Sequence, residues 1–310
     1  MPRLLILAED AHEFRQLIEA AHLPELEIAA ASSPAEALAE DSEIVFGEAR
    51  FIREVLPKLP KLRWVQSMSA GIERLMDPAL RRDYVLTNAR GVFGAQMSEY
   101  VIGYLLAHER RIFERYHAQR ELRWDRHPGG RLRGKTIGIM GVGSIGAEIA
   151  ASAKHFGMTV RGYTRSSETC PDVDAYYHGG ALLDLTRGCD YLVSVLPNTA
   201  DTRHVVDAAV LAALPPHAVF INVGRGSAVD EAALLDALET NKIASAVLDV
   251  FQQEPLPEDH PFWTAPNLRM TFHTSAVSTT EDLVPVFIEN YKRYLRGEKM
   301  MYIVDFERGY

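Results

Sequence analysis

Arg225, Glu254 and His273 each follow, by a few residues, an apolar segment that is typical of a buried strand. An arginine can bind a substrate carboxylate through two parallel hydrogen bonds and can polarise a neighbouring carbonyl. An imidazole can deliver a proton to a carbonyl oxygen, and a carboxylate hydrogen-bonded to the ring favours its protonated form. Together these side chains predict the reduction of a 2-oxo acid, if the fold gathers them at one place.

The three side chains also have simpler interpretations. Arg225 could cap a helix or pair with Asp230, Glu254 could be an exposed loop acid, and His273 could be one of eleven histidines without a task. As a set they favour catalysis, because the carboxyl ends of parallel strands lie on one edge of a sheet, where ligands bind.

A glycine cluster, Gly141-Val142-Gly143-Ser144-Ile145-Gly146, lies between an apolar strand-like run at 136–140 and a helical pattern at 147–156. In this context Gly141 permits a tight turn, Gly143 lets the backbone approach a pyrophosphate, and Gly146 lets the helix pack against the strand. The helix N-terminus then points at the anion. The cluster predicts a bound dinucleotide; the alternative is a helix-entry turn with no function.

The end of the next predicted strand, at 158–163, selects the dinucleotide. A carboxylate there would bind the ribose 2′-hydroxyl of NAD(H), but the chain continues Thr164-Arg165-Ser166. A guanidinium and a hydroxyl suit a 2′-phosphate, so NADP(H) is preferred and NAD(H) remains possible. The alternative is that Arg165 is a solvated loop residue.

Composition limits the class of protein. At 310 residues the chain exceeds a usual single core, and a net charge of −9 lacks the basic excess that nucleic-acid binding requires. No apolar run is long enough to cross a membrane, so we expect no membrane contact and a cytoplasmic location. Cys170 and Cys189 lack metal-ligand spacing, so we expect reduced thiols and no metal site.

Strand-like and helix-like patterns alternate twice along the chain, which predicts an α/β fold with two doubly wound parallel-sheet domains and a cleft between them. The first domain would comprise residues 1–96 and 278–310 and bind the substrate; the second, residues 97–277, would bind NAD(P). Early strands are predicted at 3–8, 44–46 and 63–66, one long helix at about 95–119, and a last helix at 280–297 that returns to the first domain.

Several motifs together resemble the D-isomer-specific 2-hydroxyacid dehydrogenases and, within them, the glyoxylate/hydroxypyruvate reductase A group. The resemblance covers essentially the whole chain and implies Rossmann-like and flavodoxin-like domains. Its motifs are the glycine cluster, Val195-Leu196-Pro197-Asn198-Thr199, Asn222 to Gly226, Leu248-Asp249-Val250-Phe251 with Glu254-Pro255, the His273 loop and the ending Val304 to Tyr310.

The resemblance implies roles for particular residues. Arg225, Glu254 and His273 match the family's catalytic trio, and Asp249 matches the acid that contacts the nicotinamide carboxamide. Ser69-Ala70-Gly71 resembles the loop whose amides hold the substrate carboxylate. Leu196, Pro197 and Val223 stand in motifs that line the cofactor, and Thr164-Arg165-Ser166 is similar to an NADP-type strand ending. The stretch around 119–130, with Trp124, resembles the arm that family dimers exchange, so the resemblance implies a homodimer.

Two positions depart from the group's pattern. Phe46 stands roughly where the reductase A group has a tryptophan over the substrate, and Ser98 replaces a small alanine in the interdomain helix. The first departure puts substrate size in doubt. Met68, Phe46 and Trp263 either shape the substrate pocket or are ordinary core and rim residues.

The predicted reaction is hydride transfer from NADPH to a short 2-oxo acid such as glyoxylate or hydroxypyruvate, with proton delivery by His273, giving a D-2-hydroxy acid. Two alternatives stay open. One is a non-catalytic, dinucleotide-sensing binding protein like a transcriptional corepressor of the same fold; the other is an NAD-dependent enzyme that oxidises D-2-hydroxy acids.

Overall fold

The computed structural model describes residues 1–37 and 41–309, and the Tyr310 of the C-terminal motif lies outside them. The chain forms two compact units, Met1–Val92 with Ser278–Tyr310 and Phe93–Val277. The chain enters and leaves the second unit once each, so its last helix belongs to the first unit. The binding roles predicted for the two units remain proposals.

The first unit is a five-stranded parallel sheet with the strand order β2-β1-β3-β4-β5. Its three central strands are buried on both faces, as expected for parallel strands covered by helices, whereas the two edge strands are partly exposed. The elements are β1 (Arg3–Leu7), α1 (Ala11–Ala20), β2 (Glu27–Ala31), β3 (Ile44–Gly47), α2 (Ala49–Val55), β4 (Trp64–Ser67), β5 (Val85–Thr87) and, from the chain's end, α9 (Thr280–Arg296).

Aromatic side chains join α1 and α9 to this sheet. The ring of Phe46 on β3 lies 5.3 Å from that of Phe14 and 5.0 Å from that of Phe287, and Phe46 has no exposed surface. Phe46 is therefore a core residue. Met68 is also buried, at 6% exposure. Neither side chain is open to a substrate in this structure.

The second unit is a seven-stranded parallel sheet with the order β12-β11-β10-β9-β6-β7-β8. Two hydrophobic clusters cover its faces. The elements are α3 (Gly94–Glu109), α4 (Ile112–Arg120), β6 (Thr136–Met140), α5 (Ser144–His155), β7 (Thr159–Tyr163), β8 (Ala175–Tyr177), α6 (Leu182–Thr186), β9 (Tyr191–Ser194), α7 (Ala208–Ala213), β10 (Val219–Asn222), α8 (Glu231–Glu239), β11 (Ser245–Leu248) and β12 (Leu268–Met270).

The strand order of this unit reverses between β6 and β9. From β6 the chain builds outward through β7 and β8, then returns to place β9, β10, β11 and β12 on the other side. In open parallel sheets, ligands bind at the carboxyl ends of the strands beside such a reversal. The glycine cluster follows β6 and therefore lies at the reversal.

The single long helix predicted at about 95–119 is wrong. The structure has two helices, α3 and α4, separated at Arg110 and Arg111, and Arg111 has a left-handed backbone with φ of 53°. The Arg111 N–H donates to the His108 carbonyl oxygen (3.0 Å), which closes the last turn of α3. No glycine or proline marks this break in the sequence.

Ser98, the second departure from the family pattern, lies on the face of α3 that packs against α5. Its hydroxyl donates to Ser152 Oγ (2.7 Å) and lies 3.2 Å from the Glu148 carbonyl oxygen. The buried hydroxyl thus has two hydrogen-bond partners on α5. A serine fits here because α5 supplies polar partners.

Candidate active site

Arg225, Glu254 and His273 lie on the connections that leave three neighbouring strands. Arg225 follows β10, Glu254 follows β11 and His273 follows β12, and these strands are consecutive in the sheet. Because all three strands are parallel, their connections leave from the same edge. The sheet therefore brings the three sequence-predicted residues to one edge.

Glu254 holds the imidazole of His273. The distance from His273 Nδ1 to Glu254 Oε2 is 2.7 Å, and the other carboxylate oxygen accepts the Phe251 N–H at 2.9 Å. The imidazole is 52% exposed. With Nδ1 occupied by the carboxylate, Nε2 is the ring nitrogen left to meet a ligand, which is the arrangement that a general acid needs.

Asp249 fixes the loop that carries His273. This aspartate has no exposed surface. Its Oδ1 accepts the Thr271 hydroxyl (2.5 Å) and the Thr274 N–H (2.9 Å), and its Oδ2 accepts the Ser275 N–H (3.1 Å). Its carbonyl oxygen accepts the His273 N–H at 2.7 Å. These bonds stabilise a left-handed backbone at His273, with φ of 57°, which is costly for a residue other than glycine.

The Asp249 network extends to α3. The Tyr100 hydroxyl lies 2.7 Å from Thr271 Oγ1, and burial raises the Tyr100 pKa. Sequence patterns did not predict roles for Tyr100 or Thr271, since their pairing spans most of the second unit. The predicted contact between Asp249 and the nicotinamide stays a prediction; the contacts that the structure shows are with the His273 loop.

A second braced turn carries Arg225. The buried Asn222 side chain accepts the Gly224 N–H (3.2 Å) and donates to the Arg225 carbonyl oxygen (3.0 Å). The guanidinium donates through Nη1 to the Gly224 carbonyl oxygen at 2.7 Å. A Cβ on Gly226 would lie 1.9 Å from the Phe251 carbonyl carbon, so only glycine lets the Arg225 turn approach the connection that carries Glu254.

The glycine cluster has the geometry of an anion-binding turn. Gly141 has φ of 96°, and a Cβ on Gly146 would lie 2.2 Å from the Gly141 carbonyl oxygen. By contrast, a Cβ on Gly143 would meet no heavy atom of the described residues within 4 Å. Gly143 is the N-cap of α5 and gives its first N–H groups no side-chain acceptor. The open space and the unoccupied N–H groups suit a phosphate.

The other residues of the cluster contact neighbouring elements. Val142 packs beside Gly162 of β7, where an added Cβ would lie 2.9 Å from Val142 Cγ2. Ser144 and Ile145 form the first turn of α5 and are half-buried. These positions place the backbone of the whole cluster at the end of β6.

The connection after β7 carries Thr164, Arg165 and Ser166. The Thr164 hydroxyl donates to the Ser167 carbonyl oxygen (2.7 Å), which turns the chain at the strand end, while Arg165 and Ser166 are exposed. Arg165 Nη2 lies 2.9 Å from Asp201 Oδ2. No pattern in the sequence singles out Asp201, an acidic residue in the short 3₁₀ turn Ala200–Thr202.

Leu196, Pro197 and Val223 extend from β9 and β10, beside the reversal in strand order. Leu196 and Val223 are buried, and Pro197 accepts the Thr202 hydroxyl through its carbonyl oxygen at 2.6 Å. A Cβ on Gly224 would lie 2.6 Å from the Leu196 backbone, so these two connections pack closely together. Leu196, Pro197 and Val223 therefore lie at the carboxyl edge of the sheet, on the connections that follow β9 and β10.

In the first unit, Ser69, Ala70 and Gly71 follow β4. The Ser69 and Ala70 carbonyl oxygens accept hydrogen bonds from the Ala89 N–H (3.2 Å) and from Asn88 Nδ2 (3.0 Å). Within the described part of the chain, the N–H groups of Ala70 and Gly71 donate no hydrogen bond to protein. They are therefore available to a carboxylate.

Trp263 and Phe272 form a partly exposed aromatic pair beside the His273 loop. The two ring centroids are 5.7 Å apart, and the side chains are 45% and 59% exposed. Of the three candidates for shaping a substrate pocket, Trp263 is thus the one with substantial open surface. Its indole N–H donates to the Pro257 carbonyl oxygen at 2.8 Å, which fixes the ring.

No metal-binding cluster and no membrane-spanning helix is present among residues 1–37 and 41–309. That part of the chain contains no group of three or more His, Cys, Asp or Glu side chains arranged to hold a metal ion. It also contains no helix of the length and apolarity needed to span a bilayer.

The sequence is similar to a protein family model and to curated proteins. Residues 102–275 match the family model described as D-isomer specific 2-hydroxyacid dehydrogenase, NAD binding domain. A glyoxylate/hydroxypyruvate reductase A from Klebsiella pneumoniae is 34% identical over 257 residues, which are 80% of this chain and 82% of that protein.

Solved structures agree over nearly the full length. A D-isomer specific 2-hydroxyacid dehydrogenase family protein from Aeromonas salmonicida is 43% identical, with a TM-score of 0.92 and coverage of 98% of this chain and 99% of the other. A D-isomer specific 2-hydroxyacid dehydrogenase from Xanthobacter autotrophicus Py2, solved with NADPH and MES, is 31% identical, with a TM-score of 0.88 and complete coverage of both chains.

Proposed function

The chain belongs to the D-isomer specific 2-hydroxyacid dehydrogenase family, and from that membership and its geometry we propose that it is an NADPH-preferring reductase of short 2-oxo acids. The observation that carries the proposal is the 2.7 Å contact of His273 Nδ1 with Glu254, on an imidazole that stays half-exposed. A half-exposed imidazole with a carboxylate on Nδ1 is the arrangement that a general acid needs.

We assign the proton to His273. Nicotinamide, when bound, supplies the hydride that reaches the substrate's carbonyl carbon. His273 Nε2 donates its proton to the carbonyl oxygen, while Glu254 fixes the ring and stabilises the imidazolium before transfer. The product is a 2-hydroxy acid, and the family name implies the D isomer.

Arg225 binds the substrate. Its guanidinium can hold the carboxylate through two hydrogen bonds and polarise the adjacent carbonyl, which lowers the barrier to hydride attack. The backbone N–H groups of Ala70 and Gly71, with Ser69, are proposed as further hydrogen-bond donors to a substrate carboxylate. A short substrate such as glyoxylate or hydroxypyruvate fits this assignment, because the curated relatives are named for these acids.

The cofactor assignment depends on two loops. The glycine cluster binds the pyrophosphate through the first turn of α5, and Arg165 with Thr164 and Ser166 binds the 2′-phosphate. A similar protein was solved with NADPH, which supports the preference. NADH remains a second, weaker cofactor, since the glycine cluster binds the pyrophosphate, which both dinucleotides contain.

Steady-state rates test the proposal directly. Oxidation of NADPH and of NADH is followed by absorbance with glyoxylate, hydroxypyruvate and pyruvate, using wild type and His273→Asn. We expect the highest kcat/KM with NADPH and either glyoxylate or hydroxypyruvate. In the variant we expect near-complete loss of kcat with little change in NADPH affinity. Equal losses of turnover and NADPH affinity would make His273 structural.

The same experiment separates the alternatives. NADPH binding without turnover on any acid would favour a dinucleotide-sensing binding protein. Faster oxidation of D-2-hydroxy acids with NAD than reduction with NADPH would favour an oxidising dehydrogenase. The braced Glu254–His273 pair favours an enzyme in either direction.

We also propose a homodimer formed through the segment after α4. Leu122 is 96% exposed and Trp124 is 86% exposed, which is unusual for large apolar side chains. The base of the segment is fixed, because the Gly130 N–H donates to the Glu109 carbonyl oxygen (2.7 Å) and Arg115 Nη2 donates to the His127 carbonyl oxygen (3.1 Å). Light scattering should give a dimer for wild type and a larger monomer fraction for Trp124→Ser; a wild-type monomer would overturn it.

A further inference from the structure

An ion pair crosses the carboxyl edge of the second unit above the glycine cluster. Arg165 follows β7 and Asp201 follows β9, and these two strands flank β6 in the sheet. A contact of 2.9 Å between the two side chains therefore bridges the connection that follows β6. A dinucleotide held by the glycine cluster would extend into the same region.

Both ends of this bridge are placed by braced turns. A reciprocal pair of bonds between Thr199 and Thr202 fixes the short turn that carries Asp201, and Thr202 also donates to the Pro197 carbonyl oxygen. At the other end, the Thr164 N–H donates to the Tyr177 carbonyl oxygen (3.1 Å). The backbone is thus held by hydrogen bonds at both ends of the pair.

The pair can open. The side chains of Arg165 and Asp201 are 55% and 77% exposed, and exposed ion pairs are weak. A phosphate dianion carries more charge than a carboxylate and offers the guanidinium three oxygen acceptors. The 2′-phosphate is thus a stronger partner for Arg165 than Asp201 is.

We propose that Asp201 is a specificity-determining residue whose carboxylate competes with the 2′-phosphate of NADP(H) for Arg165. NADPH binding must replace the Arg165–Asp201 contact and bring a phosphate near a carboxylate, and both effects weaken NADPH. NADH has no 2′-phosphate and leaves the pair intact. Asp201 thereby reduces the discrimination between the two cofactors. This inference rests on the proposed role of Arg165.

The expected effect follows from general electrostatics. Loss of a competing exposed ion pair and of the repulsion between Asp201 and the phosphate should together tighten NADPH by about 3- to 10-fold. The affinity for NADH should change by less than about 1.5-fold, because the pair contributes nothing specific to it. The ratio of the two dissociation constants is therefore the quantity to measure.

The test uses isothermal titration of the full-length protein with NADPH, NADH, 2′,5′-ADP and 5′-AMP. Asp201→Asn should raise the ratio of the NADH and NADPH dissociation constants by about 3- to 10-fold, and should tighten 2′,5′-ADP but not 5′-AMP. The control is Asp184→Asn, which removes one unit of charge from another exposed acid, 62% exposed against 77% for Asp201, that forms a 2.8 Å pair with Arg187. It should leave the ratio unchanged.

Two further variants separate this inference from the cofactor proposal. If Arg165→Ala leaves the NADPH preference intact, the proposed phosphate site fails. If Arg165→Ala removes the preference but Asp201→Asn behaves like Asp184→Asn, only the competition by Asp201 fails. The double variant Arg165→Ala with Asp201→Asn should gain less NADPH affinity over Arg165→Ala than Asp201→Asn gains over wild type, because only the repulsion between Asp201 and the phosphate remains to be relieved. A gain of the same size in both backgrounds would mean that Asp201 acts by repulsion alone, and it would overturn the competition for Arg165.

Discussion

Two glycines of the same turn should respond differently to alanine, because one meets protein and the other meets open space. A Cβ on Gly146 would lie 2.2 Å from the Gly141 carbonyl oxygen, a backbone atom that cannot move without shifting the turn. A Cβ on Gly143 would meet nothing within 4 Å among the described residues, and the backbone there is extended, which any residue adopts. Alanine at these two positions should therefore separate an effect on protein stability, at Gly146, from an effect on cofactor binding, at Gly143.

The magnitudes follow from these contacts. Gly146→Ala overpacks the turn and should lower the free energy of unfolding by about 1–3 kcal/mol. In Gly143→Ala, a less favourable N-cap and a less flexible unfolded chain oppose each other, so stability should change by less than about 1 kcal/mol. Its methyl group would stand where the pyrophosphate approaches, and loss of about 2 kcal/mol of charge-assisted hydrogen bonding weakens NADPH about 30-fold.

Thermal unfolding and NADPH titration of both variants make the assay. Gly143→Ala should keep the wild-type midpoint and lose NADPH affinity, whereas Gly146→Ala should unfold at a lower temperature. Unchanged NADPH affinity in a stable Gly143→Ala would refute the assignment of that space to a phosphate.

Three other predictions concern charge and burial. Glu254→Gln should lower kcat by about 10²- to 10⁴-fold while NADPH affinity stays within twofold, since the amide cannot stabilise the imidazolium of His273; stopped-flow rates and titration check this, and an unchanged kcat would contradict it. Asp249→Asn should lower the free energy of unfolding by about 1–3 kcal/mol, because its NH₂ group faces backbone donors in a buried site; a wild-type denaturation midpoint would speak against the network. Burial raises the pKa of the Cys189 thiol to about 11, so at pH 8 it stays protonated and should react with Ellman's reagent only at the rate of unfolding; fast reaction of both thiols in the folded protein would be inconsistent with this burial.

Strands and the glycine cluster were accessible from sequence because each is an apolar run that ends at a polar or glycine-rich turn. β6 begins and ends where the pattern predicts, and β10, β11 and β12 end before the residues that were expected to follow them. In a parallel sheet, the order of such ends already implies a shared edge. The sequence alone therefore predicts that Arg225, Glu254 and His273 lie at one edge of the sheet.

Other features depend on contacts between distant residues. The break between α3 and α4 falls on two arginines, Arg110 and Arg111, which have no turn preference of their own. Phe46 is buried on a strand covered on both faces, so alternation could not tell core from pocket. The pairing of Arg165 with Asp201 needs the strand order β9-β6-β7, which the sequence does not state.

Deuterium transfer tests the central claim most directly. The protein is incubated with hydroxypyruvate and with NADPH that carries one deuterium at C4, prepared separately as the 4R and the 4S form. The product is analysed by mass spectrometry and chiral chromatography. We predict that one form gives D-glycerate with deuterium at C2. Absence of deuterium at C2 with both forms, or formation of the L isomer, would contradict the proposed reaction.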